Sequence, residues 1–252
     1  MKALVLAAGK SSRIASQSGG LPKPLIPVAG QPVIAHSLRW LAGHGITNCW
    51  INLHFRPEVI QEALGDGSRY GMKIRYSLEP TILGTAGAVK NLESTWDEDF
   101  LVVYGDNLLG FDLEAMQRTH VASGAMATVA LFNWDRDLHS GIAGGRVVLN
   151  KGGSIQGFVE GGHAAAPASP WVNAGVYLLQ PAICRHIPAD TFCDFGRDVF
   201  PSLLKAKIPL QGYPIQDYCL AVDTPEALAR AQLIFQNHWR PTGTPRVKQF
   251  RL

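Results

Sequence analysis

Polar side chains suited to binding phosphate follow the first apolar stretch of the chain. The run Leu4-Val5-Leu6 gives way to small residues and then to basic and hydroxyl-bearing ones. Small residues let backbone N–H groups approach an anion closely, while hydroxyls and basic groups supply hydrogen bonds and charge. We therefore predict that this stretch binds phosphate. The candidate residues are Ala7, Ala8, Gly9, Lys10, Ser11, Ser12 and Arg13.

The tripeptide Gly9-Lys10-Ser11 also suggests a Walker P-loop, which would indicate a kinase. That motif, G-x-x-x-x-G-K-[ST], needs an earlier glycine to begin the wrap around the phosphates. The corresponding position holds Leu4, inside the predicted strand. A P-loop kinase is therefore the weakest alternative, and formation of ADP with a phosphorylated product would revive it.

A further basic residue, Lys23, stands between Pro22 and Pro24. Proline fixes the backbone φ angle, so this ammonium is carried on a stiff stem. A point charge held in position would stabilise the charge of a phosphoryl transition state. We predict that Lys23 and Arg13 act together on one phosphate-bearing ligand, rather than as two solvated surface charges.

The first half of the chain alternates strand and helix patterns. Such alternation predicts an α/β fold with a mostly parallel sheet, in which ligands bind beyond the carboxyl ends of strands. Residues 7–13 and the pair Gly105-Asp106 each follow such an end. The predicted elements are strand Ala3–Leu6, a helix from Pro32, strand Ile46–Leu53, helix Pro57–Leu64, strand Met72–Tyr76, helix Thr85–Asn91 and strand Phe100–Tyr104.

The second half is richer in strand patterns, joined by glycine-rich turns. We expect residues 161–170 to form a mobile surface loop and the residues from Arg240 to form a loosely ordered tail. The predicted elements are strands Ala127–Phe132, Gly145–Leu149, Ser154–Glu160 and Asn173–Leu179, helix Asp198–Lys205, a strand around Tyr213 and helix Pro225–Asn237 capped by Thr224.

Composition excludes several classes of protein. The chain has 252 residues, of which 46% are hydrophobic and 17% charged, with a net charge of +3, as in ordinary globular proteins. It has no basic stripe for nucleic acid and no apolar run long enough for a membrane span. Its four cysteines form no C-x-x-C pair, which disfavours a zinc site or a disulfide framework. We expect a cytoplasmic protein.

Seven short motifs follow one another through nearly the whole chain. They are L-A-A-G-x-x-x-R at residues 6–13, P-K-P-L-I-P-V-A-G-Q-P at 22–32, L-G-T-A-G-A at 83–88, V-Y-G-D at 103–106, V-N-A-G-V-Y at 172–177, D-F-G-R-D-V-F-P at 194–201 and T-P-E at 224–226. With these motifs in this order, the chain resembles the sugar-1-phosphate nucleotidyltransferases. The L-G-T-A-G and D-F-G-x-D-V-F-P signatures are most similar to the mannose-1-phosphate and heptose-1-phosphate guanylyltransferase-like branches.

The resemblance implies a Rossmann-like three-layer sandwich with a mostly parallel mixed sheet and a smaller β-rich sugar-binding portion. It also implies a single nucleotidyltransferase domain over residues 1–252. The portions are residues 1–110, mainly nucleotide-binding, 111–220, mainly sugar-binding, 221–240, a closing helix, and 241–252, a tail.

The resemblance further implies a reaction. An oxygen of a sugar-1-phosphate would attack the α-phosphorus of a nucleoside triphosphate and release pyrophosphate with the help of Mg²⁺. GTP is the first expectation for the nucleotide, with uridylyl or cytidylyl transfer next. Ala7 to Gly9 would contact base and ribose, Lys10 to Arg13 would hold the triphosphate, and Lys23 would bridge the reacting phosphates. Gly84 and Thr85 would border base and sugar. The implied catalytic residues are Arg13, Lys23 and Asp106.

The remaining implied roles concern the metal and the sugar. Asp106 matches the family's Mg²⁺ ligand, and a hard oxygen at a strand end suits a cation that bridges phosphates. Gly141, Glu160 and Asn173 match the family's sugar contacts. The nucleoside triphosphate and the sugar-1-phosphate are the expected partners. The sequence leaves open whether the chain forms a homo-oligomer.

The chain departs from the family pattern at three places. The second metal-binding aspartate is replaced by Ala221, so Asp223 is the candidate substitute, with Asp217 less favoured. The lysine that usually follows Glu160 is replaced by glycine, with His163 as a stand-in. Residues 15–20 replace the usual Pro-Leu-Thr segment, which would make the lid over the triphosphate more mobile.

Two alternatives follow from these departures. One is a degenerate homologue that binds nucleotide or nucleotide-sugar and regulates a partner. The other is a nucleotidyltransferase whose acceptor is a non-sugar phosphate or a phosphonate.

Overall fold

The computed structural model describes residues 1–9, 20–141, 144–160 and 169–238. Over these ranges the chain forms a mixed α/β structure. Its strands are β1 (Lys2–Leu6), β2 (Pro27–Val28), β3 (Gln31–Pro32), β4 (Asn48–Leu53), β5 (Lys73–Leu78), β6 (Phe100–Tyr104), β7 (Asn107–Leu109), β8 (Ala127–Asn133), β9 (Leu138–His139), β10 (Arg146–Leu149), β11 (Ile155–Val159), β12 (Trp171–Leu179), β13 (Leu210–Pro214) and β14 (Tyr218–Ala221).

The helices alternate with these strands. The α-helices are α1 (Val33–Gly43), α2 (Pro57–Leu64), α3 (Gly84–Asn91), α4 (Leu113–Ser123), α5 (Phe200–Lys205) and α6 (Pro225–His238). Short 3₁₀ segments lie at Lys23–Leu25, Ser68–Tyr70, Glu93–Thr95 and Pro181–His186, and a π-helical turn at Phe195–Val199 precedes α5.

Nine strands form one sheet, whose main path is β11-β10-β12-β6-β1-β4-β5, with β8 pairing β12 and β13. The neighbouring strands β6, β1, β4 and β5 run parallel, and the connections from β1 to β4, from β4 to β5 and from β5 to β6 are crossovers. Strand β12 runs antiparallel to both β6 and β8, while β13 runs parallel to β8. The sheet thus has a parallel half and a mainly antiparallel half that meet between β6 and β12. The prediction of a mixed α/β sheet with a large parallel part is confirmed.

Helices cover both faces of the sheet, which makes the three layers. On one face, α1, α2 and α4 bury apolar side chains such as Leu38, Ile60 and Met116. On the other face, α3 and α5 bury Val89 and Phe200. In α2, α4 and α5 the buried residues lie three or four positions apart, so each of these helices turns one stripe to the sheet. Helices α1 and α3 each bury a run of consecutive residues.

A smaller three-stranded sheet, β7-β14-β9, lies beside the main one. Helix α6 closes over it with Leu228, Ala231 and Phe235 buried against Tyr218 and neighbouring apolar residues. Thr224 caps this helix, since its hydroxyl accepts a hydrogen bond from the Ala227 N–H at 3.2 Å.

The element predictions match the structure closely, with differences at the ends. The strand expected from Ile46 begins at Asn48, and the helix expected from Asp198 is a π-helical turn followed by α5. The predicted elements include none at β2, β3, β7, α4, β9 or β14. Helix α4 has a clear start, because the Asp112 carboxylate accepts a hydrogen bond from the Ala115 N–H at 3.0 Å.

No helix in the described ranges is long and apolar enough to cross a membrane. Of the residues expected to form a surface loop, 161–170, those at 161–168 lie outside the described residues, as does the tail from Arg240.

Candidate active site

The site begins at the carboxyl ends of two adjacent strands, β1 and β6. Leu6 of β1 lies opposite Tyr104 of β6 in parallel register, so the segments that follow them leave the sheet side by side. The Gly105 N–H donates to the Leu6 carbonyl at 2.9 Å. A Cβ atom at Gly105 would lie 2.8 Å from that carbonyl oxygen, so only glycine permits this approach. Asp106 is therefore held beside the residues that follow β1.

The Lys23 ammonium contacts two carboxylates, those of Asp106 and Asp223. Lys23 opens a 3₁₀ turn after Pro22, whose carbonyl accepts a hydrogen bond from the Leu25 N–H at 2.8 Å. Burial by itself would lower the pKa of Lys23, but the charges of the two carboxylates and the hydrogen bonds to them raise it above its ordinary value. The group therefore stays charged at neutral pH.

Asp223 reaches this position through the small sheet. Ala221 of β14 pairs with Asn107 of β7, and the Val222 N–H donates to the Asp106 carbonyl at 3.3 Å. Ala221 itself is a buried strand residue whose carbonyl accepts a hydrogen bond from Ser140 Oγ at 2.7 Å. The side chain at position 221 thus belongs to the core, and Asp223 supplies the second carboxylate from beyond the strand.

Two cavities meet at these residues. The first has a volume of about 260 Å³ and opens over the ends of β1 and β6. Its lining includes the predicted nucleotide-binding residues that the structure describes. They are Ala7, Ala8, Gly9, Lys23, Gly84 and Thr85.

The second cavity has a volume of about 240 Å³ and lies over the antiparallel half of the sheet. Glu160 and Asn173, both predicted to bind sugar, line it together with Asp223. Lys23, Tyr104 and Asp106 line both cavities, so the pair of carboxylates and their ammonium stand where the two spaces join.

A hydrogen-bonded row supports the wall of the first cavity. The Ala7 N–H donates to Asn52 Oδ1 at 2.8 Å, and Asn52 Nδ2 donates to Glu79 Oε1 at 2.8 Å. The other Glu79 oxygen accepts from the Leu83 N–H at 3.0 Å. Glu79 is only 3% exposed. Through these hydrogen bonds its buried carboxylate links the residue after β1 to the turn that begins α3.

The turn at Gly84 is built on close backbone contact. Gly84 has a φ of +77°, and a Cβ atom there would overlap the Cys193 carbonyl. The next residue, Thr85, donates its hydroxyl to Asp194 Oδ2 at 2.8 Å and accepts from the Phe195 N–H at 2.9 Å. These bonds tie the start of α3 to the segment before α5 on the rim of the cavity.

The second cavity is lined by side chains on a distorted strand. The pairing of β12 with β8 shifts register between Asn173 and Tyr177, and Gly175 within this bulge has a φ of +70°. Asn173 is 5% exposed, and its amide bonds to Tyr177 and to the Gly175 N–H. Its predicted contact with a sugar hydroxyl stays a prediction.

The other two predicted sugar-binding residues differ in placement. Glu160 lies between Gly145 and Gly196, where Cβ atoms would come within 3 Å of its carboxylate group. Gly141 has a φ of +94° and donates its N–H to His139 Nδ1 at 3.1 Å. Among the residues described, the lining of the two cavities does not include Gly141.

The carboxylate pair suits a magnesium ion. In the described ranges, no group of three or more His, Cys, Asp or Glu side chains is arranged to hold a metal. Two carboxylates are nevertheless a common protein share of a Mg²⁺ site, where phosphate oxygens and water complete the coordination. Asp106 and Asp223 already approach one cationic group together, so their oxygens fit this ion.

The predicted site residues Lys10, Ser11, Ser12 and Arg13 lie outside the described residues, as do the stand-in His163 and residues 15–19 of the expected lid. The expected convergence of Arg13, Lys23 and Asp106 therefore stays a prediction for Arg13. Lys23 and Asp106 are in direct contact.

Sequence reasoning gave no role to several lining residues. Asn52, Glu79 and Asp194 line the first cavity, and Tyr104 lines both. Asp194 stood inside a quoted motif, and Tyr104 directly precedes Gly105-Asp106, so each had a sequence signal. Asn52 lay within an apolar strand and had none.

Burial raises the pKa of Tyr104 and of Tyr177, which meet through their hydroxyls. Both phenols therefore stay protonated at neutral pH and can donate hydrogen bonds.

Comparison with known proteins gives consistent matches. The family model described as "Nucleotidyl transferase" matches residues 2–247. A UTP–glucose-1-phosphate uridylyltransferase of Synechocystis sp. is 33% identical over 221 residues, which are 83% of this chain and 56% of the relative. A mannose-1-phosphate guanylyltransferase of Mycobacterium tuberculosis is 30% identical over 230 residues, 90% of this chain and 62% of the relative. The chain thus spans less than two thirds of these relatives.

Solved structures share the fold. HddC from Yersinia pseudotuberculosis, solved in complex with GMP-PN, superposes with a TM-score of 0.77 at 21% identity, covering 93% of this chain and 99% of that one. A protein of Bacillus anthracis, solved in complex with a sucrose, gives a TM-score of 0.82 at 20% identity, covering 96% and 98%.

Proposed function

The chain belongs to the nucleotidyl transferase family, and we propose that it transfers a nucleoside monophosphate from a nucleoside triphosphate to a sugar-1-phosphate. The products would be pyrophosphate and a nucleoside diphosphate sugar. The observation that carries the proposal is the Lys23 ammonium held by Asp106 and Asp223 at the junction of two cavities. A two-substrate transfer needs such a junction, because two phosphates must meet there.

The chemistry is an in-line displacement. A phosphate oxygen of the sugar-1-phosphate forms a bond to the α-phosphorus, and the bond from that phosphorus to the β-bridging oxygen breaks. Pyrophosphate leaves with the electron pair. Lys23 lines both cavities, so its ammonium is placed to neutralise charge that develops between the two phosphates.

We propose Asp106 and Asp223 as the residues that hold Mg²⁺. When bound, the ion would neutralise phosphate charge and orient the two substrates. The Asp106 backbone is fixed by its place between β6 and β7, and Asp223 by the pairing of β14 with β7, so neither carboxylate needs to be brought from a distance.

The first cavity is assigned to the nucleotide and the second to the acceptor. We propose GTP as the preferred nucleotide, with UTP next. Each of these nucleotides has support from a relative, because one relative is a guanylyltransferase and another a uridylyltransferase. A cytoplasmic location fits nucleoside triphosphate substrates and the free, buried state of all four cysteines.

A non-sugar acceptor is a second candidate. Among the described residues that line the second cavity, Lys23 is the one cation, while Asp106, Glu160 and Asp223 are acidic. With glycine in the usual place of a lysine after Glu160, the cavity offers less charge to a sugar phosphate. An acceptor panel should therefore include phosphonates and non-sugar phosphates.

The test is a pyrophosphate-release assay with purified protein, Mg²⁺, each nucleoside triphosphate and a panel of acceptors. We expect release with at least one pair and a loss of about 10²- to 10³-fold in kcat for Lys23→Met. Lys73→Met is the matched control, because Lys73 is exposed on the edge strand β5. Lack of release with every pair would contradict the proposal. Nucleotide binding by calorimetry without turnover would favour the regulatory homologue.

A further inference from the structure

Tyr104 is the residue at the end of β6 whose ring lines both cavities. Its hydroxyl lies 3.1 Å from the Tyr177 hydroxyl, and the two rings meet edge to face with centroids 5.9 Å apart. Gly175 makes room for it, since a Cβ atom there would lie 2.8 Å from Tyr104 Cγ. The position of this phenol is thus fixed by the strand bulge opposite.

The orientation of a neighbouring amide fixes the direction of the hydrogen bonds. Asn173 Oδ1 accepts from the Gly175 N–H at 3.0 Å, so the amide nitrogen must face Tyr177. Asn173 Nδ2 lies 2.7 Å from the Tyr177 hydroxyl, and an amide NH₂ can only donate. The Tyr177 oxygen is therefore an acceptor in this bond, and its own proton must point elsewhere.

The Tyr177 proton has one destination among the described residues. Tyr177 is fully buried, and an unsatisfied hydroxyl proton would be costly there. The Tyr104 oxygen is the remaining hydrogen-bond partner that the described ranges provide. Tyr177 therefore donates to Tyr104, and the Tyr104 proton, for which these ranges provide no acceptor, is directed towards the cavities.

We propose that the Tyr104 hydroxyl donates a hydrogen bond to an oxygen of the acceptor substrate, with Asn173 and Tyr177 as positioning residues that act through it. The inference rests on the proposed function. The acceptor, and not the nucleotide, is assigned because Asn173 and Gly175, which set the direction of the chain of bonds, line the second cavity. Asn173 would then influence the acceptor through two phenols.

The variant Tyr104→Phe keeps the ring and removes the donor. We expect the KM for the acceptor to rise about 3- to 10-fold, as for loss of one neutral hydrogen bond, with the KM for the nucleotide unchanged. Tyr213→Phe is the matched control, because its hydroxyl bonds to the Asp112 carbonyl at 3.3 Å and it is absent from the described lining of both cavities. A rise confined to the nucleotide KM, or no rise, would overturn the proposal.

A double variant separates positioning from packing. If Tyr177 acts through Tyr104, the variant Tyr104→Phe/Tyr177→Phe will have the same acceptor KM as Tyr104→Phe alone. Effects of the two substitutions on KM that multiply would overturn the relay. Melting temperatures measured in parallel report any loss of packing, which by itself would leave the acceptor KM unchanged.

The experiment also distinguishes this inference from the proposed function. If the wild-type protein releases pyrophosphate and Tyr104→Phe is indistinguishable from it, only the inference fails. If the wild-type protein neither turns over nor binds any sugar phosphate in calorimetry, the proposed function fails and the inference with it. Weaker acceptor binding by Tyr104→Phe in calorimetry would support the inference even without turnover.

Discussion

The two cavities are built in different ways. The first, on the parallel half of the sheet, includes a tight turn at Gly84, where an added Cβ atom would meet the main chain of Cys193. The second, on the antiparallel half, is lined by Glu160, and an added Cβ atom at Gly196 would meet the end of that side chain. At these two points the first cavity is constrained by a backbone contact and the second by a side-chain contact.

This difference decides how each cavity responds to substitution. A backbone wall cannot yield to an added atom without moving an element, whereas a flexible carboxylate can turn aside. We expect substitution in the first cavity to lower the free energy of unfolding of the protein. Substitution in the second cavity should instead weaken acceptor binding.

The largest expected loss of activity follows substitution of Asp106, which lines both cavities, or of Asp223, which lines the second. Asp106→Asn and Asp223→Asn should each lower kcat/KM about 10²- to 10³-fold, because each removes charge at the junction of the two substrates. Steady-state kinetics of pyrophosphate release measures this. Asp217→Asn is the matched control, since Asp217 stands outside the described lining of both cavities. Wild-type activity in Asp223→Asn would show that Asp223 does not replace the ligand absent at Ala221.

The next effect tests the rigidity of the first cavity. Gly84→Ala should lower the free energy of unfolding by about 2 to 4 kcal/mol, because it combines a left-handed φ with overlap of the Cys193 carbonyl. Gly45→Ala is the control, since it has a φ of +74° but open space around the added atom. Urea unfolding would measure both. Equal losses in the two variants would mean that the contact with Cys193 adds nothing.

A smaller effect is expected in the second cavity. A Cβ atom at Gly196 would overlap the Glu160 carboxylate, which is the flexible end of a side chain. Gly196→Ala should therefore change the free energy of unfolding by less than about 1 kcal/mol while raising the acceptor KM a few fold. A large loss of stability, or a change in the nucleotide KM alone, would contradict the expected difference between the two cavities.

The smallest effect concerns pH. Burial lowers the pKa of His36, in helix α1, and of His139, in strand β9, below the ordinary value of 6.5. The unfolded chain then binds protons more readily than the folded one, so stability is fully present above pH 6.5 and falls as the pH drops through the lowered values. Urea unfolding at about pH 7.5 and 5.5 would show the fall.

Substitution assigns this pH dependence to a region. His36→Gln should reduce the pH dependence, because glutamine can still donate to the Val28 carbonyl, to which His36 Nε2 lies at 2.9 Å, but does not titrate. An unchanged pH dependence would point to histidines elsewhere, such as His139.

Several residues that line the first cavity had a signal in the sequence. Residues at strand ends are near one another in a parallel sheet, so Ala7 and Asp106 were expected on one edge, and motif order supplied Gly84 and Thr85. The position of Asp223 was left open because it depends on β14 pairing with β7, two short strands without a strong pattern. Long-range pairing of that kind has no local signal.

The same limit applies to the fold. Continuous apolar runs such as Phe100–Tyr104 were found because a buried central strand needs them. Strands β7, β9 and β14 are two to four residues long, and too short for any periodicity. The hydrogen bonds that connect Asn173 through Tyr177 to Tyr104 were not predicted, because they depend on a strand bulge, which sequence spacing does not reveal.

The pairing of β7 with β14 has a consequence for biogenesis. The two carboxylates that meet on Lys23 are separated by more than a hundred residues of chain. At ordinary ribosomal speeds, on the order of ten seconds pass between synthesis of the first and of the second. During that interval the nascent polypeptide can already fold strands of the large sheet but has only half of its cation-holding pair. The carboxylate pair would therefore be completed only after every strand of the large sheet has been synthesised.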